Sequence, residues 1–427
     1  MASHLQASQL IASGIHAVPD SSPAFAAALA AHRFLNNPRV TLKGLAQPLL
    51  DAGREMAASA CDRYLLVAHD WSQLMYSDHV SKMDRVALSS NRVPEGYELQ
   101  AALLVSDRDG LPLAPGILSL RAADGVHCSR SWRVRKSLSP LDELDPAMSY
   151  LDRQNLGRPL VHLVDAEADS VGHFRQWSSH PGRMFLVRAD DRIVEYDGRE
   201  HRCSAIRETF RAQHGFRRTR EVLYHGKRAE QWVAEVPARL TRPAQHNRPG
   251  VGDRKRIYGP PLNVRLVIAE VRDAAGNVLA VWYLLSNVPS DVAAATLALW
   301  YFWRWSIESY FKLLKSAGMQ VEVWQQETAA AIARRLLVAS MACVTVWRLA
   351  RSTHPMASNA RRLLVRLSGR QMKHGCEFTL PALLAGMWVL LAMVETLESY
   401  TTEEIAALAE IAFGRAPKPP PATPADL

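Results

Sequence analysis

"WYFWRWSIESYFKLLKSAG", residues 300–318, decides how this chain is read. It sets tryptophans, tyrosines and phenylalanines beside Glu308 and three cations, Arg304, Lys312 and Lys315. The apolar spacing predicts a helix over 291–318. At about 100° per residue, Tyr301, Arg304, Glu308, Lys312 and Lys315 share one arc, with Trp305 at its edge. Leu299, Trp303, Ile307, Tyr310, Phe311 and Leu314 form the apolar stripe opposite. One account of the arc is a solvated face carrying Arg304–Glu308 and Glu308–Lys312 ion pairs at four-residue spacing. The tyrosine and tryptophan on that arc weigh against a face that meets only water.

Two aspartates extend the argument. "YLLVAHD" (64–70) is an apolar strand closing on Asp70, and "RPLVHLVDAEADSVGHFRQW" (158–177) has an apolar strand, Leu160 to Val164, that stops at Asp165 before a helix. Alone, each reads as a turn residue or helix cap. With Glu308 they supply three carboxylates, the hard-oxygen donor set of a two-ion phosphoryl-transfer site for Mg²⁺ or Mn²⁺. Two such ions, about 3.5–4 Å apart, activate the attacking oxygen and stabilise the leaving one. Cations near Glu308 would then grip phosphates, and Trp305 would stack on an unpaired base. His69 reads as structural, and Glu167 and Asp169 as solvated or capping.

Composition narrows the partner. The 427 residues exceed one ordinary core and carry 51 Lys+Arg against 42 Asp+Glu, a net charge of +9. That balance favours a polyanion, nucleic acid first and anionic membrane second. Five scattered cysteines without a CxxC pair argue against a disulfide framework and a thiolate zinc site, and fit a reducing cytosol. "MASHLQASQLIASG" (1–14) has no basic stretch leading into an apolar core, so no signal peptide is expected. The longest apolar run, Leu380 to Val394, is short for a bilayer span and predicts a buried or oligomer-forming helix.

Further strands are expected at "ELQAALLVSD" (98–107), "GILSLRA" (116–122) and "RMFLVRAD" (183–190). From about 190 to 288, short strands alternate with basic turns, most loop-like at "RLTRPAQHNRPGVGDRKRIYGPP" (239–261). Long helices are expected over 291–318, 327–351 and, with breaks, 380–413, before a proline-rich tail expected to be disordered.

The spacing Tyr301-x2-Arg304-x3-Glu308-x6-Lys315 is similar to the Y-R-E-K signature of a group of bacterial insertion-sequence transposases, the cut-and-paste DDE type. "LVDAEADSVGHF" (163–174) resembles the family's segment around its second catalytic aspartate, "YLLVAHDWSQLMYS" (64–77) the segment around its first, and "HRFLNNPRVTLKGL" (32–45) the close of its N-terminal domain. The resemblance runs in consistent order over about 30–350.

It implies an α/β fold: an RNase H-like core in two parts, 51–190 and 291–351, interrupted by a β-rich basic insertion at 191–290. A helical DNA-end-binding region over 1–50, a C-terminal helical region over 352–413 and a tail over 414–427 complete the division. It implies that Asp70, Asp165 and Glu308 are catalytic and bind two Mg²⁺ ions, with Mn²⁺ as substitute. Tyr301, Arg304, Lys312, Lys315 and Arg188 would contact DNA, and Trp305 would hold a flipped base during hairpin formation. Partners would be double-stranded DNA, as transposon ends and target, and a second copy of the chain, with the 380–397 helix either a dimer contact or core. No membrane partner is implied, and the setting is the bacterial cytoplasm.

Two departures bear on recognition. Ala166 stands where the family often has arginine, removing a phosphate contact. Thirty-one residues precede His32, where the family carries a longer region that reads the inverted repeat, so the expectation is intact chemistry with reduced end recognition. Two other readings stay open: a silent, dimerising inhibitor of the full-length enzyme, and a non-mobile nuclease. An active enzyme forms a paired-end complex in gel shifts and an inhibitor does not; a nuclease cuts generic DNA without joining it.

Overall fold

The computed structural model describes residues 23–88, 95–136, 139–246, 255–315 and 318–414. The expected disordered tail, beyond Gly414, and the first 22 residues lie outside these. The described residues open with helices α1 (Pro23–Asn36) and α2 (Leu42–Ala60), separated by a turn at Pro38 and Arg39. Thr41 caps α2 by accepting the Gly44 amide at 3.1 Å. The second helix runs on past residue 50.

The first strands are β1 (Leu65–Met75), β2 (Val86–Ala87), β3 (Glu95–Ser106), β4 (Pro112–Ala122) and β5 (Gly125–Cys128). After α3 (Leu144–Asp152) come β6 (Leu160–Val164), α4 (Val171–Ser178) and β7 (Met184–Ala189). Strands β3, β4 and β5 form an antiparallel meander against β1, whereas β6 pairs parallel to β1 and β7 parallel to β6. Strands β6 and β7, and β1 up to Ala68, are nearly continuous apolar runs because both faces of the sheet are covered there.

One sequence expectation changes here. Strand β1 does not close on Asp70 but passes through it to Met75, because β3 pairs with it all the way to Met75↔Gly96. Its parallel partner is shorter: pairing with β6 ends at Ala68↔Leu163. Asp70 therefore lies just beyond the point where β6 gives out, beside the turn that begins at Asp165.

Residues 193–286 supply β8 (Ile193–Tyr196), β9 (Arg199–Arg202), α5 (Cys203–Ala212), β10 (Arg217–Tyr224), β11 (Lys227–Leu240), β12 (Ala244–His246), β13 (Lys255–Ile257), β14 (Leu262–Arg272) and β15 (Val278–Ser286). These do not stand apart as a separate sheet. Strand β15 pairs antiparallel with β7, so one sheet runs β5-β4-β3-β1-β6-β7-β15-β14-β11-β8-β9, with β2 on β3 and β10 on β11. Only β12 and β13 pair outside it among the described strands.

The helices that follow are α6 (Ala294–Trp303), α7 (Ser306–Lys315), α8 (Ala329–Arg351), α9 (Ala357–Leu367), α10 (Leu380–Ser399) and α11 (Thr402–Phe413). The single helix expected over 291–318 is thus two, broken at Arg304 and Trp305. Helix α8 is a core element: Leu336, Ala339, Cys343 and Trp347 are buried against the β1–β5 side of the sheet. A second apolar cluster, around Phe174, Trp177, Phe185 and Ile268, fills the space beneath α3, α4 and α5.

Helix α10 extends through Glu395 to Ser399, five residues past the apolar run. At 20 residues it is, with α8, one of two described helices long and apolar enough to cross a membrane by length and composition. The two differ in surroundings: the apolar window of α8 is 72% buried within the fold and that of α10 only 28%. Val389, Met393, Val394 and Leu397 of α10 are exposed, as are Leu408 and Ile411 of α11.

Candidate active site

The break between α6 and α7 sits against the β3–β4 turn. Gly110, at φ +69°, lies flat against the Trp303 indole, so closely that a Cβ there would sit 2.3 Å from the ring. Ser306 Oγ donates to the Gly110 carbonyl at 2.8 Å and fixes the start of α7 on the same turn. Between these two anchors Arg304 is turned into the protein, 3% exposed.

Its guanidinium is where the three carboxylates meet. Nη1 donates to Asp70 Oδ2 at 2.9 Å, and Nη2 donates to Asp165 Oδ2 at 2.7 Å and approaches Glu308 Oε1 at 3.5 Å. These groups come from β1, the turn after β6, and α7. The Arg304–Glu308 pair is the four-residue ion pair of the solvated-face account, yet the arginine is buried.

Asp165 also caps its own turn, accepting the Ala166 amide at 2.6 Å. The cap and site readings are therefore compatible, because the cap fixes the carboxylate at the strand end. Asp165 further takes bonds from Arg188 at 2.9 Å and from the Tyr301 hydroxyl at 3.3 Å. Arg188 is on β7, one strand beyond β6. Tyr301 is buried at 2% exposure, with its hydroxyl aimed at Asp165.

Burial raises the Asp70 carboxyl above its ordinary range, more than Arg304 lowers it. Burial likewise raises Glu308, opposed by Arg304 and reinforced by Asp70 and Asp165. Burial disfavours charged Arg304, but Tyr301, Asp70 and Asp165 together outweigh it and hold the guanidinium firmly protonated.

The other expected DNA contacts spread outward. Trp305, on the residue after the buried arginine, is 56% exposed. Lys312 is exposed on α7. Lys315 turns back onto β1, donating to the Gln73 carbonyl at 2.6 Å and lying 3.4 Å from Glu322. Phe302, on the flank of the break, carries the Arg220 guanidinium over its ring at 4.7 Å.

Glu167 is exposed in the first turn after the Asp165 cap, as its solvated reading expects, and still feels the cluster. It accepts a hydrogen bond from the Trp71 side chain, and burial, then Asp70 and Asp165, raise its carboxyl. Asp169 instead pairs with Arg192 and the Asp190 amide, tying the turn to the end of β7. His69 is inward and bonded to His162.

The donor set suits a hard divalent cation, being carboxylate oxygen throughout. As they stand, the three acids are held on the guanidinium, and among the described residues no three His, Cys, Asp or Glu side chains are close enough together to hold an ion. Arg304 Nε is buried without a partner, so the arginine that fills the cleft is itself incompletely satisfied.

No protein-family model matches the chain, and no curated protein matches it. Among solved structures it is similar to a piggyBac transposase synaptic complex with hairpin DNA, at TM-score 0.35 and 10% identity over 91% of this chain. The chain spans 66% of that protein's length.

Proposed function

We propose that this chain is a divalent-cation-dependent DNA transposase of the insertion-sequence DDE kind, cutting phosphodiesters at transposon ends, passing through a hairpin, and joining the ends to new DNA. The observation that carries this reading is the meeting of Asp70, Asp165 and Glu308, from three distant segments, on the Arg304 guanidinium. The order β4-β3-β1-β6-β7, antiparallel on one side of β1 and parallel on the other, supports an RNase H-like core.

Asp70, Asp165 and Glu308 would hold two Mg²⁺ ions, or Mn²⁺ in their place. When bound, such ions supply activation of the attacking oxygen and stabilisation of the leaving one in an in-line displacement at phosphorus. The protein's own contribution is position. The cap on Asp165 and the Tyr301 hydroxyl orient its carboxylate. Arg188, bonded to Asp165, and Lys312, exposed on α7, would grip backbone phosphates through charge. Trp305 offers an exposed ring on which an unpaired base stacks, offsetting part of the cost of unpairing it. Work on two ends requires two copies, and the exposed apolar row of α10 and α11 supports that pair as the dimer contact.

The test uses labelled end fragments from the DNA flanking the reading frame, with Mg²⁺, beside Glu308→Ala. Wild type should nick, form hairpins and join ends, and the variant should do none of these. Equal cleavage by the two proteins, or no cleavage of any end by either, defeats the reading. Cleavage of generic DNA with no joining identifies a nuclease instead.

A further inference from the structure

We propose that Arg304 is the resident counter-cation of the carboxylate cleft: its guanidinium occupies the cleft in the metal-free protein and is expelled when divalent cations enter. The inference rests on the reading above, in which Asp70, Asp165 and Glu308 are the metal ligands, and adds a competition between a side chain and the ions for one place.

Three observations support it. The guanidinium is the common partner of all three acids, at 2.9, 2.7 and 3.5 Å, so anything else bound by all three must take its position. Charge argues the same way. These three carboxylates, with Glu167 beside them, face two guanidiniums, Arg304 and Arg188, so the cleft lacks two positive charges. Two divalent ions overshoot that deficit, and like charges this close repel. The arginine that must give way is the one enclosed by the acids. Arg188 approaches Asp165 from outside and is 41% exposed along its side chain.

The bonding of Arg304 is also unfinished. Its Nε is buried with no acceptor, a cost that a fully satisfied ion pair would not carry and that exit into water or onto a phosphate would relieve. It stands in the two-residue break between α6 and α7, next to exposed Trp305, so a change in its side chain need not unwind either helix. Expulsion gives the cleft an order of events: ions load, the guanidinium leaves, and a strong phosphate-binding group appears beside the scissile bond.

Competition for one place is reciprocal, so each partner weakens the other by the same factor. The purified chain and Arg304→Gln are titrated with Mn²⁺ by calorimetry, and we expect the variant to bind at least about tenfold more tightly. Equal or weaker binding by the variant overturns the inference. Because the variant could fold poorly, a second measurement uses wild type alone. Phenylglyoxal labelling of Arg304, followed by peptide mass spectrometry, should be slow without Mn²⁺ and several-fold faster with it. Unchanged labelling at saturating Mn²⁺ overturns the inference and leaves the transposase reading intact. Absence of Mn²⁺ binding in both proteins, or binding unaffected by Asp70→Asn, removes the ligand assignment and both proposals with it.

Discussion

His69 Nε2 lies 2.9 Å from His162 Nδ1, a buried contact that ties β1 to β6 beneath the carboxylate cluster. His162 Nε2 lies 3.1 Å from Asp152, which Arg183 holds at 2.8 Å. Burial, only partly offset by Asp152, lowers His162 from its ordinary 6.5, so it is neutral in the fold. Below about 6.5 the unfolded chain takes up the proton first. Stability from this group is therefore complete above that pH and lost as pH falls toward the lowered folded value. His162→Gln should cost about 1–3 kcal/mol at pH 7.5, since it leaves a buried bond unmade. Its deficit relative to wild type should shrink toward pH 5 in urea melts, and a constant deficit counts against a buried neutral histidine.

Glu308→Gln separates chemistry from folding. The side chain is 48% exposed, so its stability should stay within about 0.5 kcal/mol of wild type. End cleavage should fall by roughly a thousandfold or more. In wild type, cation binding needs ionised ligands, and Asp70 and Glu308 are raised by burial. Cleavage should therefore fade on acidification at a higher pH than free carboxylates would give, as rate measurements across pH can show.

Trp305→Ala should leave the melting temperature unchanged, because the ring packs little. Stacking is worth about 1–3 kcal/mol per base, so hairpin formation should slow roughly tenfold to a hundredfold while the first nick persists. Denaturing gels of one labelled end resolve the two products, and equal loss of both contradicts the stacking role.

Lys312→Ala addresses phosphate contact. Its effect should be uniform across DNA sequences, with the slope of log affinity against log salt smaller by about one. Filter binding between low and physiological salt measures this slope. An unchanged slope places Lys312 off the DNA.

Gly110→Ala tests the anchor of the helix break. The methyl would enter the Trp303 ring, and φ +69° is strained for alanine. Loss of about 2–3 kcal/mol is expected in chemical denaturation. Because the turn fixes the start of α7, which carries Glu308, end cleavage should fall even at temperatures where the variant is fully folded; wild-type activity in a folded variant would show the anchor to be dispensable.

Strand β6 and the turn at Asp165 were legible because an apolar run stopped at an acid, and chain and pairing stop together there. The break at Arg304 was not. No proline or glycine marks it, and the apolar spacing continues across it; the turn it rests on lies nearly two hundred residues earlier. Arg304 was placed among the DNA contacts, or in water on the solvated-face account, because a cation at helical spacing ordinarily projects outward. The acids that draw it inward, Asp70 and Asp165, are 234 and 139 residues away, beyond any local pattern.

The pairing of β7 with β15 has a mechanical consequence. Hydrogen bonds run unbroken from the strand bearing Asp70 to the far edge at β9, so the basic hairpin β10–β11 is cantilevered from the same plate as the acids rather than hung on a linker. A load applied at that hairpin, such as a duplex levered against it, is transmitted through β14, β15 and β7 to the neighbourhood of Arg188 and Asp165 instead of being absorbed by a hinge. Additions at the β9 rim can lengthen the arm without resetting the alignment at its root.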